Sequence, residues 1–531
     1  MKLQTAVRFV LTAGIILALA RAGAIAGQER DLPMTLDSCI LAALKHNLGV
    51  AVEVINPRLS EMNYRFAKEK FVPALSFGFS SADTSSASYS YIEAAAVVSS
   101  LDKNYAASIT QPLPTGGQLS ASVSSYRSES NRSFQTINPR FGSTLSFSFS
   151  QPLLRGFGLE LNRRSIVIAR NNLQISETQF ESVLLDLVYR VESAYWSLVF
   201  AVESLNVHRQ SLDLARDLLT KNRREVEVGT IAPIEILNAE AEVATREADI
   251  LAAENQVSLL QDRLLTLINF PAGEGALKVG RVIPLEKPAA EARAVVLEEC
   301  LSLALAHRPD LAIYRLNLAN QSLQYDYARN QLLPDLRLSV QYWSPGVSGT
   351  QILYQDGNAL SGIVTGVIPG GASESLRDAF RFLYKNYSIG LSLSIPLANY
   401  LTKEHFAAAR LSYDKALLQV ENARQQIFLE IRSAVKTLET DYRRVQAYRA
   451  ARELSERKLA AEEKKLKVGL TTNYLFLWQQ RDLAGAKSAE LKAMIDYRLS
   501  LANLERALGT GLISKGIRTA DVMLTQDANR R

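Results

Sequence analysis

Two cysteines and four histidines are all that 531 residues contain of either type. Two thiols cannot staple a chain of this length, so a disulfide framework is excluded as the source of its stability. The histidines fall at no zinc-ligand spacing. Gly-x-Ser-x-Gly, His-Glu-x-x-His and a phosphate-binding loop are all missing. No catalytic, cofactor-binding or metal site is expected, no cofactor is implied, and the chain does not read as an enzyme. Charge of one sign is lacking too: 60 Lys and Arg face 54 Asp and Glu, a net of +6. Lys2, Arg8 and Arg21 supply part of that excess from the leading segment, so nothing favours nucleic acid as a partner. Beyond that segment no window holds the ~18 uninterrupted apolar residues of a membrane helix. Any route into a membrane must be by strands.

The leading segment, 1–26, combines a basic start, an apolar run from Phe9 to Ala20 and small residues at Ala24-Ile25-Ala26. It reads as a secretory signal peptide, since the run is shorter than the ~20 residues that span a bilayer and Arg21 closes it. No Cys follows the cleavage site, so attachment of a lipid there is not expected.

The mature chain is a tandem duplication. Leu36–His46 matches Leu297–His307, and Asn56, Tyr64, Ala67 and Pro73 match Asn317, Tyr325, Ala328 and Pro334, every pair 261 positions apart. A second register with an offset of 240 pairs Ala169-Arg170 with Ala409-Arg410, Ser193-Ala194 with Ser433-Ala434, and Val228-Gly229 with Val468-Gly469. One supersecondary unit is used twice, with insertions of different length. Cys39 and Cys300 hold the same place in each half and read as small buried apolar residues rather than a bridged pair.

Strands alternate apolar and hydroxyl residues: Leu75, Phe77 and Phe79; Leu145, Phe147 and Phe149; Leu336, Leu338 and Val340; Ile389, Leu391, Leu393 and Ile395. That period suits a half-buried sheet, and equally a barrel facing lipid outside and water inside. A proline stands at each join between strand and helix, Pro73, Pro152, Pro334 and Pro396, where its missing N–H ends one ladder before the next begins. Two strands per half cannot close a barrel alone, so it must be shared; three copies would supply twelve strands. An extra alternating hairpin near 103–126 either enlarges that barrel or stands outside it. The stretch from Ser344 to Ser388 reads as a long polar loop.

Runs from about Ser165 to Val228 and from about Glu404 to Val468 hold helical patterns without proline. Apolar seams follow Val183, Leu187, Val191, Ala194 and Leu198, and Ile427, Ile431, Ala434 and Leu438. Each run ends in a tight hairpin. Gly229 and Gly469 can take the left-handed conformation that stops a helix, and Thr230, or Thr471 or Thr472, can cap the next. The return helices are rich in alanine, which permits close approach of neighbours.

In the doubled helices, the proline joins and the Val-Gly hairpins followed by Glu235-Ile236-Leu237-Asn238-Ala239 and Leu475-Phe476-Leu477, the chain resembles the TolC family of outer-membrane efflux proteins. The resemblance covers Leu36 to Gly509. It implies an α+β membrane protein of tandem-duplicated long α-helical hairpins forming a periplasmic tunnel, with strands contributing to a trimeric outer-membrane β-barrel. It also implies a homotrimer in the outer membrane of a Gram-negative bacterium, in contact with lipid. Such a trimer acts as the passive exit duct of a tripartite efflux pump or type I secretion system, beside a periplasmic adaptor (membrane fusion) protein and an inner-membrane pump or ABC transporter. Gly229, Thr230, Gly469 and Leu470 are the candidate docking tip. Glu235, Leu475 and Trp478 are the candidate entrance, where Leu475 and Trp478 replace the acidic residues frequent in the family. The alternative is a periplasmic coiled-coil spacer without a barrel. The expected division is a signal peptide at 1–26, a first repeat at 27–270, a linker at 271–294, a second repeat at 295–509 and a flexible tail at 510–531. Strands are expected near 71–81 and 141–152 in the first repeat, and near 334–343 and 387–397 in the second.

Overall fold

The structure, a computed structural model, describes residues 30–88, 95–269, 279–398 and 400–528. The expected signal peptide and the start of the expected linker lie outside these residues. The helices are α1 (Leu36–His46), α2 (Leu48–Glu53), α3 (Ile55–Lys68), α4 (Leu159–Glu227), α5 (Ile234–Ile268), α6 (Leu297–His307), α7 (Pro309–Asn330), α8 (Ala372–Phe380), α9 (Tyr400–Lys467), α10 (Asn473–Leu508), α11 (Gly511–Ser514) and α12 (Thr519–Ala528). The strands are β1 (Arg30–Met34), β2 (Ala74–Ala87), β3 (Val97–Pro112), β4 (Gln118–Ser130), β5 (Ile137–Pro152), β6 (Val279–Pro284), β7 (Asp335–Tyr354), β8 (Val364–Ile368) and β9 (Asn386–Ser394). They form two compact units, one built from residues up to 58, 175–314 and from 420 onward, the other from 59–174 and 315–419. Each unit draws on both halves of the duplication. Among the described residues no single helix is long and apolar enough to cross a membrane.

Helices dominate the first unit. Thr35 caps α1: its hydroxyl accepts from the Ser38 N–H at 3.2 Å, and the Ser38 hydroxyl accepts from the Thr35 N–H at 2.9 Å. The two halves differ soon afterwards. α7 runs unbroken, whereas its counterpart is cut at Val54 into α2 and α3. Pro57 lacks the N–H that would bond back to Glu53, and the second half has Leu318 at that place. α4 has 69 residues and α9 has 68, about 100 Å each at helical rise. The expected seams are buried at Leu187, Val191, Ala194 and Leu198 on α4 and at Ile427, Ile431, Ala434 and Leu438 on α9. Around α4 the core gathers Cys39, Ile40 and Ala43 of α1 and Leu264 and Ile268 of α5. Both thiols are free, and burial pushes that of Cys39 up to about 12. In the linker, β6 pairs in parallel with β1, Leu32 opposite Val282.

The tail departs from expectation. Residues 511–514 and 519–528 are helical, Leu512 and Val522 enter the core, and the Gln526 amide donates to the carbonyls of Leu44 (2.8 Å) and Lys45 (3.0 Å). The Lys515 ammonium reaches Glu192 of α4 at 2.6 Å. A few widely spaced apolar residues make no visible period, yet they suffice where a groove already exists to receive them.

In the second unit, seven strands form one antiparallel sheet in the order β2-β3-β4-β5-β7. Beyond β7, β9 pairs with Asp335–Trp343 and β8 with Gln351–Tyr354, so the sheet is six positions wide. The extra hairpin is β3 and β4, and it lies inside the sheet between β2 and β5. Strands run longer than the apolar alternation suggests, because backbone pairing continues through their Ser- and Thr-rich ends, as from Ser80 to Ala87. The expected polar loop after Ser344 also differs: β7 continues to Tyr354, and β8 and α8 follow. α8 packs on the ends of β5 and β7 remote from Pro152, with the Ser375 and Ser143 hydroxyls 2.9 Å apart. Pro73 precedes β2, Pro152 ends β5, Pro334 precedes β7 and Pro396 follows β9.

Candidate functional site at the helical tips

Both tips are built by the same backbone motif. Gly229 has φ +75° and Gly469 φ +76°. At the first tip the Gly229 N–H bonds to the Val226 carbonyl (2.9 Å) and the Thr230 N–H to that of Glu225 (2.8 Å). At the second, Gly469 bonds to Leu466 (3.1 Å) and Leu470 to Lys465 (3.0 Å). These paired bonds satisfy the last carbonyls of α4 and α9 in a Schellman motif.

The hydroxyls then diverge. Thr472 caps α10, accepting from the Leu475 N–H at 3.3 Å. Thr230 does not cap α5: its hydroxyl donates back to the Glu225 carbonyl at 2.8 Å, and Pro233, with no side-chain acceptor, stands at the N-cap. Thr471 hydrogen-bonds to Glu462, and this bond, helped by Lys465, holds the Glu462 carboxyl below the usual range.

Around each glycine the surface is open and apolar. Val228, Ile234 and Leu237 are exposed at one tip; Val468, Leu470 (77% exposed), Tyr474, Leu475 and Trp478 (53%) at the other. Glu235 is half-buried in the first turn of α5, whereas Leu475, 240 positions on, is exposed in the first turn of α10.

Sequence reasoning missed what ties the tips together. Asn473 donates through its amide to the side-chain oxygen of Asn222 (3.0 Å), and the Asn222 amide donates to the Glu235 carbonyl (3.3 Å). Asn222 is 1% exposed, so one buried amide joins α4, α5 and α10. Neither asparagine stands out in the sequence, since their pairing spans 251 positions. A second device was missed as well, though its spacing signals it. Arg209, Arg216 and Arg223 recur every seven residues on α4 and meet Glu254 (2.8 Å), Glu247 (2.6 Å) and Glu240 (2.8 Å) on α5. Each exposed pair contributes about 0–1 kcal/mol, so the ladder aligns the two helices more than it stabilises them.

Long paired helices and an antiparallel sheet with one apolar face are the fold of outer-membrane channels. The Campylobacter jejuni CmeC outer membrane channel superposes with a TM-score of 0.61, covering 93% of this chain and 89% of that one at 16% identity. The open-state Neisseria gonorrhoeae MtrE outer membrane channel gives 0.57, covering 90% and 89% at 19% identity. In sequence the chain is 23% identical to the outer membrane protein TolC of Escherichia coli over 356 residues, 65% of this chain and 66% of TolC. It is 21% identical to the alkaline protease secretion protein AprF of Pseudomonas aeruginosa over 367 residues, 68% of each. The chain belongs to the outer membrane efflux protein family, whose model matches residues 93–269 and 300–510. It is an outer-membrane efflux or secretion channel, and the reading as a periplasmic spacer without a membrane part gives way to that assignment.

Proposed function

We propose that three copies assemble into one passive duct. Their sheets join as a barrel in the outer membrane and their helices wall a tunnel through the periplasm. The tips at Gly229, Thr230, Gly469 and Leu470 receive a periplasmic adaptor, which couples the duct to an inner-membrane pump or ABC transporter. Carrying this reading is a seam on α5 that the chain leaves uncovered. Leu237, Ala241, Ala244, Ala248 and Leu251 recur at alternating fours and threes, the spacing of a helix paired along its length, and all five are exposed. A copy of the same chain supplies the missing partner. Ala244→Arg places a charge in that seam without touching this chain's own core, and it is expected to leave monomers in place of trimers on native mass spectrometry. Trimers at the unsubstituted level would sink the reading.

Glu235, Leu475 and Trp478 line the entrance in this arrangement, and the Asn473–Asn222–Glu235 contact holds it closed. Asn473→Ala removes the donor to a buried side-chain oxygen, at a cost of about 1–3 kcal/mol to the closed state. Ion conductance of reconstituted channels is expected to rise severalfold; an unchanged conductance would show that the contact does not hold the gate.

A further inference from the structure

The sheet carries information on the size of the barrel. In register, Leu75, Ile109, Ala121, Phe147, Tyr342 and Tyr387 form one row across β2, β3, β4, β5, β7 and β9. The adjacent row on the opposite face begins Ser76, Ser108, Ser122 and Ser146. Its hydroxyls pair across the strands, Ser76 with Ser108 at 2.7 Å and Ser122 with Ser146 at 2.6 Å. Both rows pass through the extra hairpin without changing face. A hairpin standing outside a membrane wall has no reason to match the wall residue for residue, because its two faces would meet the same solvent.

Length and anchoring agree. β3 has 16 residues and β4 has 13, more than the ~10 that a tilted membrane strand needs. The turn between them is clamped to the wall's base: the Thr115 hydroxyl donates to the Gln151 side-chain oxygen (2.8 Å), the Gln151 amide donates to the Thr115 carbonyl (3.2 Å), and the Gly158 N–H donates to the same carbonyl (3.2 Å). Gln111-Pro112 at the end of β3 repeats Gln151-Pro152 at the end of β5. Each glutamine amide donates to the carbonyl of its following proline, at 2.9 and 3.0 Å. The hairpin reuses the junction chemistry of a wall strand.

We infer that β3 and β4 are wall strands, so that each copy contributes six strands and three copies close an eighteen-stranded barrel in the outer membrane. The inference rests on the trimeric duct proposed above. The free edges are β2 on one side and, on the other, β9 with β8 beyond it along β7; β2 and β9 run in opposite directions because six positions alternate, so β9 of one copy can pair antiparallel with β2 of the next. Both edges are apolar on the lipid face, with Phe77 77% and Ile389 69% exposed in the single chain. Barrel diameter grows roughly linearly with strand number, so the exit is about one and a half times as wide as that of a twelve-stranded ring.

Cysteine labelling tests this. In the full chain with Cys39 and Cys300 replaced by alanine, single cysteines are placed at Ala107, Ser108, Ser122 and Val123 in the hairpin and at Ser76, Phe77, Leu391 and Ser392 in β2 and β9, and each variant is reconstituted in lipid nanodiscs and treated with a water-soluble maleimide. The serine positions are expected to label at least tenfold faster than their apolar neighbours in all four strands. Equal labelling at all four hairpin positions, with alternation kept in β2 and β9, would overturn the eighteen-stranded barrel and leave the channel intact. Equal labelling in β2 and β9 as well would overturn both.

Discussion

Gly469→Val and Gly229→Val are expected to reduce export at least tenfold while trimers still assemble. At φ of +75° and +76° a β-branched residue is strained by about 1–2 kcal/mol, and a Cβ at either position would meet no atom within 4 Å. The strain is local and the space is open, so the fold survives, but the outline presented to a partner at the tip changes. Gly509 is the control. It has φ +75° at the end of α10, and there a Cβ would meet the His307 carbonyl oxygen at 2.7 Å. Gly509→Val is therefore expected to destabilise the helical unit itself, lowering trimer yield as well as export. The checks are export by cells carrying each variant and the amount of detergent-extracted trimer. Wild-type export by the two tip variants would refute a docking role for the glycines.

Arg308→Met is expected to lower stability by about 1–3 kcal/mol, because its partners are part-exposed and water screens what the pair contributes, read as a fall in the melting temperature of the purified channel. Arg308 sits between α6 and α7 and gathers three groups: Asp310 at 2.6 Å, Glu430 of α9 at 2.6 Å and the Ala507 carbonyl at the end of α10 at 3.0 Å. Methionine keeps much of the volume but leaves Asp310 without its arginine and Glu430 with Arg506 alone, at 3.2 Å. The pH dependence of this site follows from Asp310. Burial raises its pKa, but the hydrogen bonds and charge of Arg308 outweigh that and hold it below the ordinary value. A carboxylate depressed by folding contributes stability that is present above its unfolded pKa of about 3.9 and is lost as the pH falls through the folded one. The native channel is expected to lose this contribution in strong acid. The Arg308→Met variant lacks it at neutral pH already, so its melting temperature should fall less between pH 6 and pH 3. An equal fall in both would show that another group carries the acid sensitivity.

Features spelled by neighbours in the chain were the legible ones. The offsets of 261 and 240 disclose the duplication, the four prolines mark where strand meets helix, and Val-Gly followed by threonine marks each tip. The Arg and Glu ladder of α4 and α5 was equally available as a seven-residue period. Capping chemistry was readable only as a choice. Thr472 and Thr230 are both threonines one to three residues past the glycine, and the geometry of the turn decided that one caps the next helix and the other bonds back.

The sequence by itself determined the repeat, the long helices, the glycine turns and the family, because each is written in local order: a period, a cap, a helix stop or a fixed offset. Only the tertiary structure decided that the extra hairpin lies between β2 and β5, that Asn222 meets Asn473, that Arg308 gathers Asp310, Glu430 and the Ala507 carbonyl, and that the polar tail folds back on α1. Apart from Arg308 and Asp310, those contacts join residues that lie more than a hundred positions apart or belong to strands with interchangeable alternation. An alternating strand says which face is apolar, not which strand lies beside it, and a lone asparagine or arginine gives no sign of its partner until backbone pairing and core packing bring the two together.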